Sequence, residues 1–185
     1  KQYQLERTLF PIGNYDKETV RKIAEELGFV VADKPDSQEI CFVTDNNYAG
    51  FISSRINKPA EPGYFVDTEG NILGVHKGIY NYTVGQRKGL GISLGKPMYV
   101  VRIDAENNRV VLGEAGKEYS GGLIASDMNW IAFEKLESPI KAMAKIRYSA
   151  KESEAVICPM GDNKVRVDFT CPQRAVTPGQ AVVFY

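Results

Sequence analysis

The chain has 185 residues, 43% of them apolar and 25% charged, and its 23 lysines and arginines balance 23 aspartates and glutamates. That length accommodates one large domain or two to three small ones. The even charge excludes a globally basic nucleic-acid binder, leaving only a local patch for that role, and no apolar run reaches the roughly 18 residues of a membrane-spanning helix.

The opening "KQYQLERTLF" has no initiator methionine and no basic, apolar leader, so it reads as the interior of a longer, non-secreted protein, either a fragment or a trimmed chain. The three cysteines, Cys41, Cys158 and Cys171, show no CxxC or metal-ligand spacing, and His76 is the sole histidine. No metal site is therefore expected. An odd number of thiols without a leader points to a reducing, cytoplasmic setting.

In chain order, "NYDKETVRKIAEELGF" predicts a helix. Val20, Ile23, Ala24 and Leu27 form one apolar stripe, Asp16 is the N-cap, Glu18 suits the positive helix end, and Gly28 is the stop. "FVVAD" and "ICFV" read as short buried strands around a "KPDSQ" turn, and "NNYAGFISSRI" reads as a second helix, so residues 1–56 have an α/β character. After "NKPAEPG" the pattern turns to β. "GYFVD", "ILGVH", "MYVVRID" and "RVVLG" are strand-like around "TEGN" and "AENN" turns. They make a small central β domain over 57–119 that ends in a "KEYSGG" linker.

Residues 120–185 are again β. In "KAMAKIRYSAK", Ala142, Ala144, Ile146 and Tyr148 share one parity, while Lys141, Lys145, Arg147 and Lys151 share the other. That is a half-buried strand with a basic face, and it assigns Tyr148 to the core side. "EAVICPM", "KVRVDFT" and "QAVVFY", separated by "GDN" and "TPG", complete a small barrel or sandwich. The chain stops at this last strand, which again predicts truncation. The fold class is therefore mainly β with a short α/β N-terminal portion.

Three features bear on chemistry. Cys41 lies between Ile40 and Phe42 and reads from its neighbours as a small packed hydrophobe. Asp36 and Glu39, if close, would raise its pKa and blunt its reactivity. "YTVGQRKGLGI" sets Gln86, Arg87 and Lys88 among three glycines, where backbone can approach a ligand and the cations can meet phosphate. It is neither a Walker A loop nor a dinucleotide fingerprint, and a solvated hairpin accounts for it equally well. The basic face at Lys145 and Arg147 is either an ordinary solvated strand face or an RNA contact. Cys158 and Cys171, each before a proline at a strand end, read as structural, as does His76.

Together "LFPIGNYDKETVRKIAEELG", "DSQEICFV", "YTVGQRKGLGI", "AKIRY" and "TPGQAVVFY" resemble, in order and spacing, the bacterial tRNA-specific 2-thiouridylases, a family also labelled as tRNA methyltransferases. The resemblance covers nearly the whole chain. It implies that residues 1–56 are the tail of an α/β ATP pyrophosphatase domain, followed by the central β domain and a C-terminal, tRNA-binding β-barrel. The family's Ser-Gly-Gly-x-Asp-Ser phosphate loop and the first of its two catalytic cysteines are absent from these residues. It further implies ATP-dependent sulfur transfer from a cysteine persulfide to C2 of the wobble uridine of tRNA, with Cys41 as the second catalytic cysteine and a disulfide formed between Cys41 and the missing one. Arg147, Tyr148 and Gln180 match the family's tRNA contacts. The expected partners are tRNA and a cysteine desulfurase or sulfur-relay protein, with ATP bound by the missing domain. The alternatives are a non-catalytic tRNA-binding barrel or a docking piece for the sulfur donor.

Overall fold

The computed structural model describes residues 1–34, 43, 48–56 and 61–185. Its packing divides into two units, one of residues 1–48 with 129–134 and one of residues 49–128 with 135–185.

The first unit contains α1 (Gln2–Leu5) and α2 (Lys17–Glu26). Asp16 caps α2 as expected, its Oδ1 accepting from the Thr19 amide at 2.8 Å. That backbone bond holds its carboxyl below the usual aspartate pKa. Val20, Ile23 and Ala24 are half-buried, whereas Leu27 follows the last helical residue and is exposed. The strand expected over "FVVAD" does not form. Ala32 and Lys34 donate to the Phe29 and Val31 carbonyls in successive turns, and Val30 is 100% exposed. A β-branched run becomes a strand only where a neighbouring strand completes its ladder, and here the backbone closes on itself. Of "ICFV", only the buried Val43 belongs to the described residues. The rings of Trp130 and Phe133 pair within this unit, with centroids 4.9 Å apart. The second predicted helix is present as α3 (Tyr48–Ile56).

The second unit holds two sheets. In the first, β1 (Gly63–Val66), β2 (Ile72–His76), β3 (Met98–Asp104) and β4 (Arg109–Glu114) lie in the order β2-β1-β4-β3. The expected turns form because their acids bind local amides. Asp67 accepts from the Glu69 and Asn71 amides, and Asp104 from that of Asn107. β4 is interior, parallel to β1 and antiparallel to β3. Its run Val110–Gly113 is buried on both faces, as an uninterrupted apolar run requires. Phe65, Tyr82, Leu90, Met98, Val100, Val110 and Leu112 make the core.

The second sheet comprises β5 (Tyr119–Ala125), β6 (Ile140–Lys145), β7 (Ser153–Gly161), β8 (Lys164–Arg174) and β9 (Val183–Phe184), in the order β5-β8-β7-β6-β9. "KEYSGG" is therefore not a linker: its tyrosine opens β5, which pairs with β8 through a bulge between Ser120 and Gly122. Glycines at a bulge look like a flexible tether in a linear sequence. Alternation is clean on β7 and β8, which bury Ala155, Ile157, Val165, Val167 and Phe169. The β7–β8 connection turns on Asp162 and Asn163, both with positive φ (47° and 54°), the conformation of a tight type I′ hairpin. Pro159 is tolerated in an interior strand because the register shifts between it and Gly161. Cys158 thus lies inside β7 rather than at its end, half-buried, while Cys171 is exposed.

His76 closes β2 as a structural residue. It is 1% exposed, its Nε2 faces the Asn108 carbonyl at 3.1 Å and its Nδ1 accepts from the Gly78 amide at 3.0 Å. Gly63 lies opposite, and a Cβ there would fall 2.7 Å from the imidazole. Glycine is what lets the ring sit against that backbone.

Candidate nucleic-acid interface

Cys41 lies outside the described residues. The residues expected from the sequence to contact RNA all fall in the second unit, where two turns and one loop are joined around residues 174 and 175.

The first turn follows β6. The strand stops at Lys145, and buried Ile146 anchors the chain. Beyond it the alternation no longer applies, so Tyr148 is 97% exposed instead of packed in the core. Parity predicts a side only while the strand continues. Lys145 places its ammonium 5.8 Å from the Tyr148 ring centroid, a cation–π contact that leaves the ring available for stacking. Arg147, expected on the open basic face, is half-buried, and its Nη2 donates to the Arg174 carbonyl and to that of Ala175 at 3.4 Å. It braces the turn, and with five N–H donors a guanidinium retains further hydrogen-bonding capacity.

The second turn is Thr177–Gln180. The Gln180 amide donates to the Thr177 carbonyl at 3.4 Å, with Pro178 and Gly179 between them, and the Gln180 side chain is exposed. Thr177 Oγ1 donates to the Ala175 carbonyl at 2.9 Å, the same oxygen that receives Arg147. Arg147 of "RY" and Thr177, which opens the "PGQ" turn, thus meet on one carbonyl.

The third part is the glycine-rich loop. Thr83–Gln86 is a turn with Gly85 at φ 85°, closed by the Gln86 amide on the Thr83 carbonyl at 3.0 Å. Gln86 is spent within it, its Oε1 accepting from the Thr83 amide and its Nε2 donating to the Lys88 carbonyl. Arg87 and Lys88 are exposed, and among the described residues neither makes an ion pair. An open groove of about 500 Å³ beside them is lined largely by Leu90, Ile92, Leu94, Pro97 and Met98. Arg87 and Lys96 also line it, and Lys96 is paired with Glu114, so Arg87 and Lys88 are the cations of this loop left open to an anion.

The sequence reading missed the joint between these parts. Arg174 donates from Nη2 to the Gly85 carbonyl at 3.1 Å, lies 5.7 Å from the Tyr99 ring centroid and pairs through Nε with Glu118 at 3.4 Å. Glu118 is 5% exposed at its side chain, and its other oxygen accepts from the Gly116 amide at 2.7 Å. Burial raises its pKa, but its own amide, the Gly116 amide and Arg174 outweigh burial and hold the carboxyl below the usual glutamate value. No local pattern marks a pair 56 residues apart.

Three family descriptions match in chain order: tRNA methyl transferase HUP domain at residues 1–45, tRNA methyl transferase PRC-barrel domain at 49–114, and aminomethyltransferase beta-barrel domain at 120–185. They define a class in which a HUP domain is followed by two β modules. The tRNA-specific 2-thiouridylase MnmA of Acetivibrio thermocellus is 66% identical over 184 residues, MnmA 1 of Caldanaerobacter subterraneus 59% over 184, and MnmA 2 of Clostridium botulinum 56% over 185. Each match covers all of this chain and 51%, 50% and 52% of the respective relative. The chain belongs to the tRNA-specific 2-thiouridylase family and spans about half the length of the curated relatives it matches.

Proposed function

We propose that these residues are the sulfur-delivering and tRNA-gripping part of a cytoplasmic tRNA-uridine 2-sulfurtransferase. Membership of the family supports the reading. The observation that carries it for this chain is the meeting of the Arg147–Tyr148 turn with the Thr177–Gln180 turn on the Ala175 carbonyl, beside the exposed Tyr148 ring and the half-buried Lys145.

In this reading Tyr148 stacks on a base, Lys145, Arg147, Arg87 and Lys88 meet phosphates, and Gln180 hydrogen-bonds the RNA. Cys41 accepts sulfur as a persulfide from a cysteine desulfurase or relay protein. Its terminal sulfur attacks C2 of the wobble uridine, and the activated C2 oxygen departs. A second thiol then attacks the Cys41 sulfur, leaving one sulfur on the base and a disulfide on the protein, which an external thiol must reduce. ATP supplies the activation. The 185 residues contain no Ser-Gly-Gly-x-Asp-Ser loop, so ATP binding falls to the rest of the protein, and this chain alone is expected to thiolate nothing.

The test has two readouts. Intact mass after incubation with a desulfurase and cysteine should rise by one sulfur, and not in Cys41→Ala. Transfer-RNA binding should weaken in Lys145→Glu and Tyr148→Ala. A chain that gains no sulfur and binds tRNA no better than the variants do would overturn the reading. Thiolation of tRNA by these residues alone would overturn the division of labour.

A further inference from the structure

The cations of the candidate interface, Arg87 and Lys88 on one side and Lys145 and Arg147 on the other, belong to two different β modules, and a surface split between modules grips one rigid ligand only if the modules are fixed to each other. The second unit contains the fixing device. The Arg174 side chain crosses from the end of β8 to the Gly85 carbonyl, immediately before Gln86, Arg87 and Lys88. Its own carbonyl and that of Ala175 receive Arg147. One residue is therefore bonded through its side chain to the glycine-rich loop and through its backbone to the Arg147–Tyr148 turn.

Glu118 sets the direction of that side chain. It pairs with Arg174 Nε, leaving Nη2 to reach Gly85, and its carbonyl accepts from the Ala175 amide at 2.8 Å. Packing agrees with the hydrogen bonds. A Cβ on Gly85 would fall 2.6 Å from the Cβ of Ala175, which is 1% exposed and itself in the left-handed region at φ 55°. The loop and the end of the second sheet approach closely enough there to exclude a methyl group. A lysine at 174 would carry the charge but could not hold a carboxylate and a carbonyl at once with a planar fork.

We propose that Arg174, seated on Glu118, is a positioning residue that locks the Gly85–Lys88 loop to the barrel, so that the loop cations and the Lys145–Tyr148 turn engage the phosphate backbone of one folded RNA together. The RNA part of this proposal rests on the tRNA reading above; the lock does not.

The experiment measures the affinity of the 185-residue chain for transcribed tRNA across a salt series, with hydrogen exchange of residues 82–90 in the same samples. Each phosphate neutralised contributes about 0.9 to the slope of log affinity against log salt. Arg87→Ala with Lys88→Ala should therefore lower the wild-type slope by about 1.8. Arg174→Gln should lower it by a similar amount and speed exchange in the loop, and adding the two loop substitutions in that background should change the slope no further. Arg174→Lys should behave like Arg174→Gln despite keeping its charge. Because Arg174→Gln leaves Glu118 buried beside a neutral group, Glu118→Gln with Arg174→Gln repeats the test without that charge, and circular dichroism confirms the β content of each variant. An unchanged slope in Arg174→Gln, or full additivity with the loop substitutions, overturns the proposal. If wild type shows no salt-dependent tRNA binding, the tRNA reading fails instead. Exchange alone then judges the lock: faster exchange of residues 82–90 in Arg174→Gln supports it and unchanged exchange refutes it.

Discussion

Replacing His76 by phenylalanine separates shape from hydrogen bonding in the central sheet. The imidazole is packed edge-on against Phe65 (centroids 5.5 Å) and Tyr82 (5.7 Å), and a phenyl ring retains much of that contact. What it loses is an acceptor for the Gly78 amide and a donor to the Asn108 carbonyl. A buried polar group left unpaired costs about 1–3 kcal/mol. The Asn108 carbonyl is only partly buried, so its share falls at the low end, and the sum is about 2–4 kcal/mol. That is roughly a 30- to 900-fold fall in the folded-to-unfolded ratio, read as a lower urea midpoint by circular dichroism. The two bonds also fix the neutral tautomer, with the proton on Nε2. Burial holds the imidazole below its ordinary value of 6.5, with the Asn108 carbonyl opposing only in part. The unfolded chain therefore takes up the proton first. The stabilisation is complete above about pH 6.5 and is lost as pH falls through the folded value. Wild type should weaken on going from pH 7.5 to 5.5, and His76→Phe should lack that component. A variant within about 0.5 kcal/mol of wild type at pH 7.5, or one with an undiminished pH dependence, would refute the argument.

Two further outcomes follow from the same geometry. Tyr148→Ala removes an exposed ring, so the urea midpoint should stay put while tRNA affinity falls by about 1–3 kcal/mol, the contribution of one stacked base; a shifted midpoint would mean the ring packs. Glu118→Gln should flatten acid stability: the carboxyl is held below its ordinary 4.5, so its contribution is present above that value and is lost as pH falls through the folded one. Unfolding followed between pH 6 and 3 checks this, and parallel curves for variant and wild type would contradict it.

Whatever was short-range in this chain could be read from its letters. The Asp16 cap, the "TEGN", "AENN" and "GDN" turns, and the strands at "EAVICPM" and "KVRVDFT" depend on neighbours within a few residues, and each is found where expected. The failures share the opposite property. Val30 and Val31 have strand-forming side chains but turn instead, because a strand needs a partner. The glycines after Tyr119 suggest a tether until β8 appears beside them. Tyr148 is misplaced by one bend after Lys145. Arg174 and Glu118 carry no signal at all, since neither has a motif and each acquires its role from the other. Cys41 differs again: its neighbours argue for an inert packed thiol, and the chemistry proposed for it rests only on the family blocks around it.

Arg147 shows why affinity alone misreads a basic face. Its Nη2 holds two carbonyls, so a loss of RNA affinity on its removal would come in part through the fold. Hydrogen bonds from a charged donor contribute about 1.5–3 kcal/mol when shielded, and a half-buried guanidinium keeps the lower part of that range. Arg147→Ala should therefore cost about 1.5–2 kcal/mol of stability as well as lowering the tRNA salt slope by about 0.9. Arg147→Lys separates the two effects. It keeps the charge, so the slope should survive, but a point ammonium cannot reproduce the fork, so the stability loss should remain. The measurement is urea unfolding of both variants beside their salt series. If Arg147→Ala matches wild-type stability while the slope still falls, the carbonyls do not depend on it, and Arg147 acts on RNA alone. If both variants lose stability and neither changes the slope, its charge never reaches a phosphate, and the RNA surface narrows to Lys145, Tyr148, Gln180 and the glycine-rich loop.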